Sequence, residues 1–234
     1  MAIQREREFL VERDLAGRLS VGFESTRIDE CVAEVASRGA LGVFGSPGHG
    51  FTGDNLDFLG LMPDLKKVWF WDVTLRDVAG LYALSDLRYF GVHPERPAVD
   101  FDRLASLEEM VWHYSANDTN LNSLDALQLL HLWHFNTKRR SFEDLALPSR
   151  LAELQINWAN PKSLDGLPEL PELKRLEIHR CRNLESISDL PKIAPNLEHL
   201  VVAACGRVSD GADVVKYMPH LRHAFVRDQV LVSS

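Results

Sequence analysis

The sequence predicts an α/β repeat solenoid, in which one short strand per coil stacks in parallel on the strand of the next. Three observations predict it: a leucine that recurs at a nearly constant interval, a fixed apolar pattern after each such leucine, and connecting segments too short for long helices. Aligned on the leucine, the copies read LKKVWFWDV from Leu65, LRYFGVHPE from Leu87, LEEMVWHYS from Leu107, LQLLHLWHF from Leu127, LAELQINWA from Leu151, LKRLEIHRC from Leu173, LEHLVVAAC from Leu197 and LRHAFVRDQ from Leu221. Successive leucines lie 22, 20, 20, 24, 22, 24 and 24 residues apart. Self-similarity at such a period means that each copy is one supersecondary unit that needs its neighbours to cover its apolar side.

The N-terminal residues 1–37 are predicted to form a cap ahead of the array. Within it Arg18–Glu24 alternates like a strand. Ile28, Cys31, Val32 and Val35 then recur at helical spacing, with Ser25 or Thr26 placed to cap the helix and Gly39 just past its end. An irregular first copy follows, with Leu41 and Val43 set at the fourth and sixth places and Phe44 at the seventh. In the regular copies, places one, four and six are apolar. Side chains alternate along a strand, so places four and six face the core while three, five and seven face out. The second halves, such as SLDGLPELPE and SISDLPKIAPN, have room only for short 3₁₀ or extended pieces. DFDRLAS and SLDALQ hold at most about two helical turns each. At the C-terminus Phe225–Val232 reads as a terminal strand or hairpin, and its apolar residues predict an edge open to self-association, a homodimer contact.

The pattern resembles the leucine-rich-repeat family, LxxLxLxx followed by Asn or Cys, in its short-repeat bacterial or cytosolic form. The resemblance spans residues 38–234, about eight to nine coils. Cys181 and Cys205 occupy the ninth place, where the family uses Asn or Cys to meet backbone groups at the bend. The ninth place is Val73, Glu95, Ser115, Phe135 and Ala159 in other copies, so the turn there must be held in some other way. The resemblance implies a right-handed horseshoe with a parallel concave sheet, a short convex side and a protein partner on the concave face.

The register lists the outward residues of that face. Seven of the nine histidines and four of the five tryptophans fall on outward places. The candidate partner-binding residues are Trp69, Trp71, Tyr89, His93, His113, Tyr114, His131, Trp133, His134, Trp158 and His179. Outward places on a solvated strand are ordinarily polar, whereas a contiguous exposed aromatic patch marks an interaction surface, and Trp and Tyr dominate binding hot spots. The competing reading is a structural ladder in which the rings cover one another. Trp112, at a sixth place, is core in either case.

The remaining features exclude more than they add. A net charge of −8 argues against a nucleic-acid partner and suits a neutral or basic protein, in the manner of leucine-rich-repeat ribonuclease inhibitors; an inhibitor or immunity role follows from that resemblance. The basic run Lys138-Arg139-Arg140 reads as a solvated turn. No segment approaches the ~20 apolar residues of a membrane span and no secretory signal is present, so no membrane partner and a cytoplasmic location are expected. Three widely spaced cysteines predict reduced thiols. Gly45–Gly53 lacks the Lys-Ser/Thr ending of a phosphate loop and reads as an enlarged turn. The outward places hold neither Ser nor Cys, so no nucleophilic triad is assignable, and neither an enzyme activity nor a cofactor is expected. Two alternatives remain: a metal-dependent hydrolase built on the imidazoles of His93, His113, His131 and His134, and a structural subunit that self-associates.

Overall fold

The computed structural model describes residues 2–93 and 95–233; Pro94, an eighth-place residue of the repeat, lies outside the described residues. Two compact units emerge, one of residues 1–110 with 115–119, the other of residues 111–114 with 120–234.

In the first unit the strands β1 (Gln4–Glu6), β2 (Phe9–Arg13), β3 (Leu19–Gly22), β4 (Gly42–Gly45), β5 (Lys67–Phe70) and β6 (Tyr89–Val92) are hydrogen-bonded in chain order. β1, β2 and β3 form an antiparallel meander, and from β3 onward each strand pairs in parallel with the next. β7 (Glu109–His113) crosses the division between the units. In the second unit β8 (Leu129–Trp133), β9 (Glu153–Asn157), β10 (Arg175–His179), β11 (His199–Ala203) and β12 (His223–Arg227) form a parallel ladder. The antiparallel β13 (Gln229–Ser233) ends it. Parallel pairing in strict chain order, with one strand per coil, is the topology of a leucine-rich-repeat solenoid.

The register matches the repeat frame. Leu130 faces Leu154, Leu176 and Leu200 in turn, and Leu132 faces Ile156, Ile178 and Val202; all eight are no more than 1% exposed. Leu127, Leu151, Leu173 and Leu197 at the first place form a third buried row. Rows of this kind remove about 1.5–3 kcal/mol worth of apolar surface from water per leucine. The return segments are short: 3₁₀ turns at Asp57–Leu61, Ala79–Ala83, Phe101–Leu104 and Leu121–Ser123, and the single-turn helices α2 (Leu190–Ile193) and α3 (Gly211–Val215).

The bends answer the missing asparagines. At the eighth place Asp72, His134, Trp158, Arg180 and Ala204 all adopt left-handed backbone, with φ of 54–57°. The N–H groups of His134, Trp158 and Arg180 donate to the seventh-place carbonyls of the following coil, on Asn157, His179 and Ala203. Side chains one coil on complete the anchoring. Asn160 both accepts from Thr137 N–H (3.1 Å) and donates to Thr137 C=O (3.0 Å), Asp210 accepts from Ile187 N–H (3.1 Å), and the Cys205 thiol accepts from Cys181 N–H (3.3 Å). The Cys205 contact and burial push the Cys181 thiol far up, so it stays protonated.

Two local expectations are corrected. The helix α1 (Ile28–Arg38) ends on left-handed Gly39 as expected, but neither Ser25 nor Thr26 caps it: its N-cap is Arg27, with no side-chain cap bond. A 3₁₀ turn, Ser25–Arg27, precedes the helix, and Ser25 Oγ instead accepts from Thr52 N–H (2.7 Å). The first copy is also displaced by two places. Val43 pairs with Val68 and Gly45 with Phe70, which puts Val43 at the fourth place, Phe44 opposite Trp69 at the fifth, and Leu41 out of the core at 40% exposure. Close contacts fix this frame, because a Cβ on Gly45 would lie 2.6 Å from the Phe70 ring.

Candidate functional site

The outward places carry two clusters of rings, one in each unit. In the first unit, Trp69 and Trp71 sit two residues apart on the same side of the strand path, with ring centroids 4.5 Å apart. Trp71 also lies against Phe44 (6.3 Å, stacked) and against His49 (5.4 Å, edge-on). Phe44, expected to face solvent, is fully buried. The cause is local: Trp71 stacks on it, and Gly22 approaches so closely that a Cβ there would lie 2.9 Å from its ring. His49 was not among the residues expected at the site. It comes from the turn Pro47–His49 in the segment read as an enlarged loop, and the Ser46 hydroxyl holds its Nδ1 at 2.9 Å.

Tyr89, at the third place of its repeat and the first residue of β6, completes this cluster. The Lys67 ammonium lies 5.2 Å from its ring and 5.7 Å from that of Trp69, and Glu12, itself 3% exposed, holds the same ammonium at 2.9 Å. Burial, reinforced by the charges of Glu109 and Glu12, pushes the Tyr89 phenol up to about 12. His93 is half-buried, with Nε2 3.8 Å from Asp72.

In the second unit a stack of rings crosses the strands. His113 stacks on Trp133 (5.7 Å) and on His134 (5.9 Å), His134 stacks on Trp158 (6.2 Å), and the Arg180 guanidinium lies 4.8 Å from the Trp158 ring. His134 and Trp158 are the two aromatic residues that take the left-handed bend conformation. Neither Gly nor Asn stands at these positions, although either would adopt it at less cost. Tyr114 packs edge-on to buried Phe135 (4.6 Å), and burial raises its phenol above the ordinary value. Of the second-unit candidates His134 is exposed, whereas His113, Tyr114, His131, Trp133, Trp158 and His179 are half-buried.

Beside the stack lies a polar strip. Glu177 accepts from His179 Nε2 (2.9 Å) and Arg175 Nη1 (3.2 Å); burial opposes its ionisation, but these donors win and hold its carboxyl below the ordinary range. Burial depresses His131, with Glu177 and Glu153 pulling the other way. Between stack and strip, Trp133 and Asn157 are register partners at the seventh place. Trp133 Nε1 and Asn157 Nδ2 are both buried, and neither has an acceptor among the described residues. Buried donors left without an acceptor are costly, about 1–3 kcal/mol each.

The rings therefore do part of what a structural ladder would do, since each covers a neighbour. They remain partly open to solvent, in contrast to Trp112, which is 4% exposed on the core side. The imidazoles stack instead of converging: the His113 and His134 planes differ by 26°. Among the described residues no group of three or more His, Cys, Asp or Glu is placed to hold a metal ion. No helix among them is long and apolar enough to cross a membrane.

The strand order, the register and the buried leucine rows define this chain as a leucine-rich-repeat solenoid. Among solved structures it is similar to an internalin from Listeria monocytogenes, at 14% identity and a TM-score of 0.44, over 79% of this chain and 67% of the other. No protein-family model and no curated protein matches the sequence.

Proposed function

We propose that the chain is a non-catalytic interaction module that binds another protein, of basic character, on the outward face of its strand ladder. The observation that carries this reading is the concentration of half-buried indoles and imidazoles on outward places. Preordered aromatic rings offer contact area at small entropic cost. The net charge of −8 favours a basic partner, which agrees with an inhibitor or immunity role. A reducing, cytoplasmic setting, in which Cys31, Cys181 and Cys205 stay as thiols, belongs to the same reading. The reading is tested by capturing the partner from the native host with the wild type and with Trp71→Ala/Trp133→Ala. Retention of full affinity by the double variant would remove the site.

A second reading has its own observation. β13 is an edge strand carrying Val230, Leu231 and Val232, with Val230 60% exposed and no proline or lysine to guard it. Such an edge supports self-association. Sedimentation at several concentrations tests it, and a monomer throughout would exclude it.

A further inference from the structure

A cleft of about 330 Å³ opens in the first unit, between the turn that joins β2 to β3 and the N-terminal ends of β4, β5 and β6. Its apolar lining includes Leu19 and the exposed Leu41. Gly42 gives it depth, since a side chain there would collide with Ser20 Oγ and Lys67 Cβ.

The charges in the cleft are unevenly satisfied. Arg18 is held by Asp14 (2.5 Å), Lys66 by Asp86 (2.6 Å), Lys67 by Glu12 (2.9 Å) and Arg88 by Glu108 (3.0 Å). Every lining cation thus has its own carboxylate. The Glu109 carboxylate, which also lines the cleft, has no ion pair or side-chain hydrogen bond among the described residues. Neither does the neighbouring Tyr89 hydroxyl have a hydrogen bond there. An anion entering the cleft would compete with those carboxylates for the same cations. A neutral apolar ligand would cover Glu109 without compensating its charge, which is unfavourable.

We propose that this cleft binds an alkyl guanidinium or ammonium group, with the methylene stem against Leu19 and Leu41 and the charge on Glu109 and the Tyr89 hydroxyl. The volume accommodates one arginine or lysine side chain, at the lower end of ordinary ligand pockets. A basic partner would supply such a side chain, and for that source alone the assignment rests on the protein-binding reading. A free small cation has the same chemistry.

The test is a titration of the full chain, followed by heteronuclear NMR. The probes are N-acetyl-arginine methylamide, free arginine and N-acetyl-norleucine methylamide. Saturable binding of the blocked arginine is expected, with a Kd on the order of millimolar. Norleucine should bind at least about tenfold more weakly, and Glu109→Gln should weaken arginine binding by about tenfold, the loss of one charge-assisted contact. Glu172→Gln, exposed and outside the cleft, should leave binding unchanged. Tighter binding of blocked than of free arginine assigns the site to a side chain of another protein, and the reverse order assigns it to a small molecule; both uphold a cation site. Equal binding of norleucine and arginine, full binding by a folded Glu109→Gln, or no saturation up to the solubility limit would overturn it. Because the probes are small molecules, the result is independent of whether the aromatic face captures a protein.

Discussion

Replacing Asp118 by Asn removes the negative charge that holds Arg96 in the interior of the first unit. The two side chains are 1% and 0% exposed and meet through two parallel contacts, 2.8 and 2.7 Å long. Asp118 also accepts from Val99 N–H at 2.8 Å, and Val99 C=O in turn accepts from Thr119 N–H at 3.0 Å. One carboxylate therefore neutralises a buried guanidinium and fixes the neighbouring loop backbone. Asp118→Asn keeps the shape, but it strips the charge and turns an amide donor toward donors. The expected loss is about 3–5 kcal/mol, the usual result of leaving a buried ion without its partner. Arg96→Leu/Asp118→Leu removes both charges, and its expected loss is smaller, about 1–3 kcal/mol, for the Val99 N–H left without an acceptor. Urea unfolding at neutral pH, followed by tryptophan fluorescence, measures both. A loss below about 1 kcal/mol for Asp118→Asn, or a double variant as unstable as the single, would refute the reasoning.

Further outcomes follow from the bends, the core and the imidazoles. Ala204 sits at φ 56° on an exposed bend, so Ala204→Gly should stabilise the chain by about 1 kcal/mol, and a loss of stability in urea unfolding would contradict the bend geometry. Leu130→Ala should cost about 2–5 kcal/mol, as expected for a fully buried row, in the same assay. Because burial lowers the folded-state pKa of His131, the unfolded chain binds more protons between that value and ~6.5. Its contribution to stability is thus complete above ~6.5 and declines as pH falls through that window. His131→Gln should flatten that part of the stability profile, and an unchanged slope would exclude His131 as its source. With all nine histidines protonated the formal charge is +1 instead of −8, so affinity for a basic partner should be lower in acid than at neutral pH; titration calorimetry at the two extremes would show it.

What was legible in the sequence is what a strict period determines. Leu154 and Ile156 could be placed inward, and Trp133 and His131 outward, because alternation along a strand leaves no freedom once the first leucine is set. β1 and β2 were not legible. The chain reverses after Glu6 at left-handed Arg7, a residue that gives none of the Gly or Asn signals of a tight turn. The two-place displacement at β4 has a related cause: Gly42 and Gly45 erase the apolar alternation, so leucine at 41 suggested one frame while contacts from Ser20 and Phe70 impose another. His49 was missed because it lies off the repeat, and only the folded turn brings it to Trp71. The stacking of His113, His134 and Trp158 was equally hidden, since ring orientation depends on left-handed bends that no family asparagine announces.

The most direct measurement is the affinity of an isolated partner for the wild type, Trp71→Ala, Trp133→Ala and a control pair, Leu61→Ala/Tyr217→Ala. The control removes apolar side chains that are 66% and 74% exposed at positions off the strands. Provided that urea unfolding shows all variants folded, the outward-face substitutions should together weaken binding by about 3 kcal/mol or more, with the control unaffected. Full affinity in the tryptophan variants, or an equal loss in the control, would contradict the placement of the binding surface.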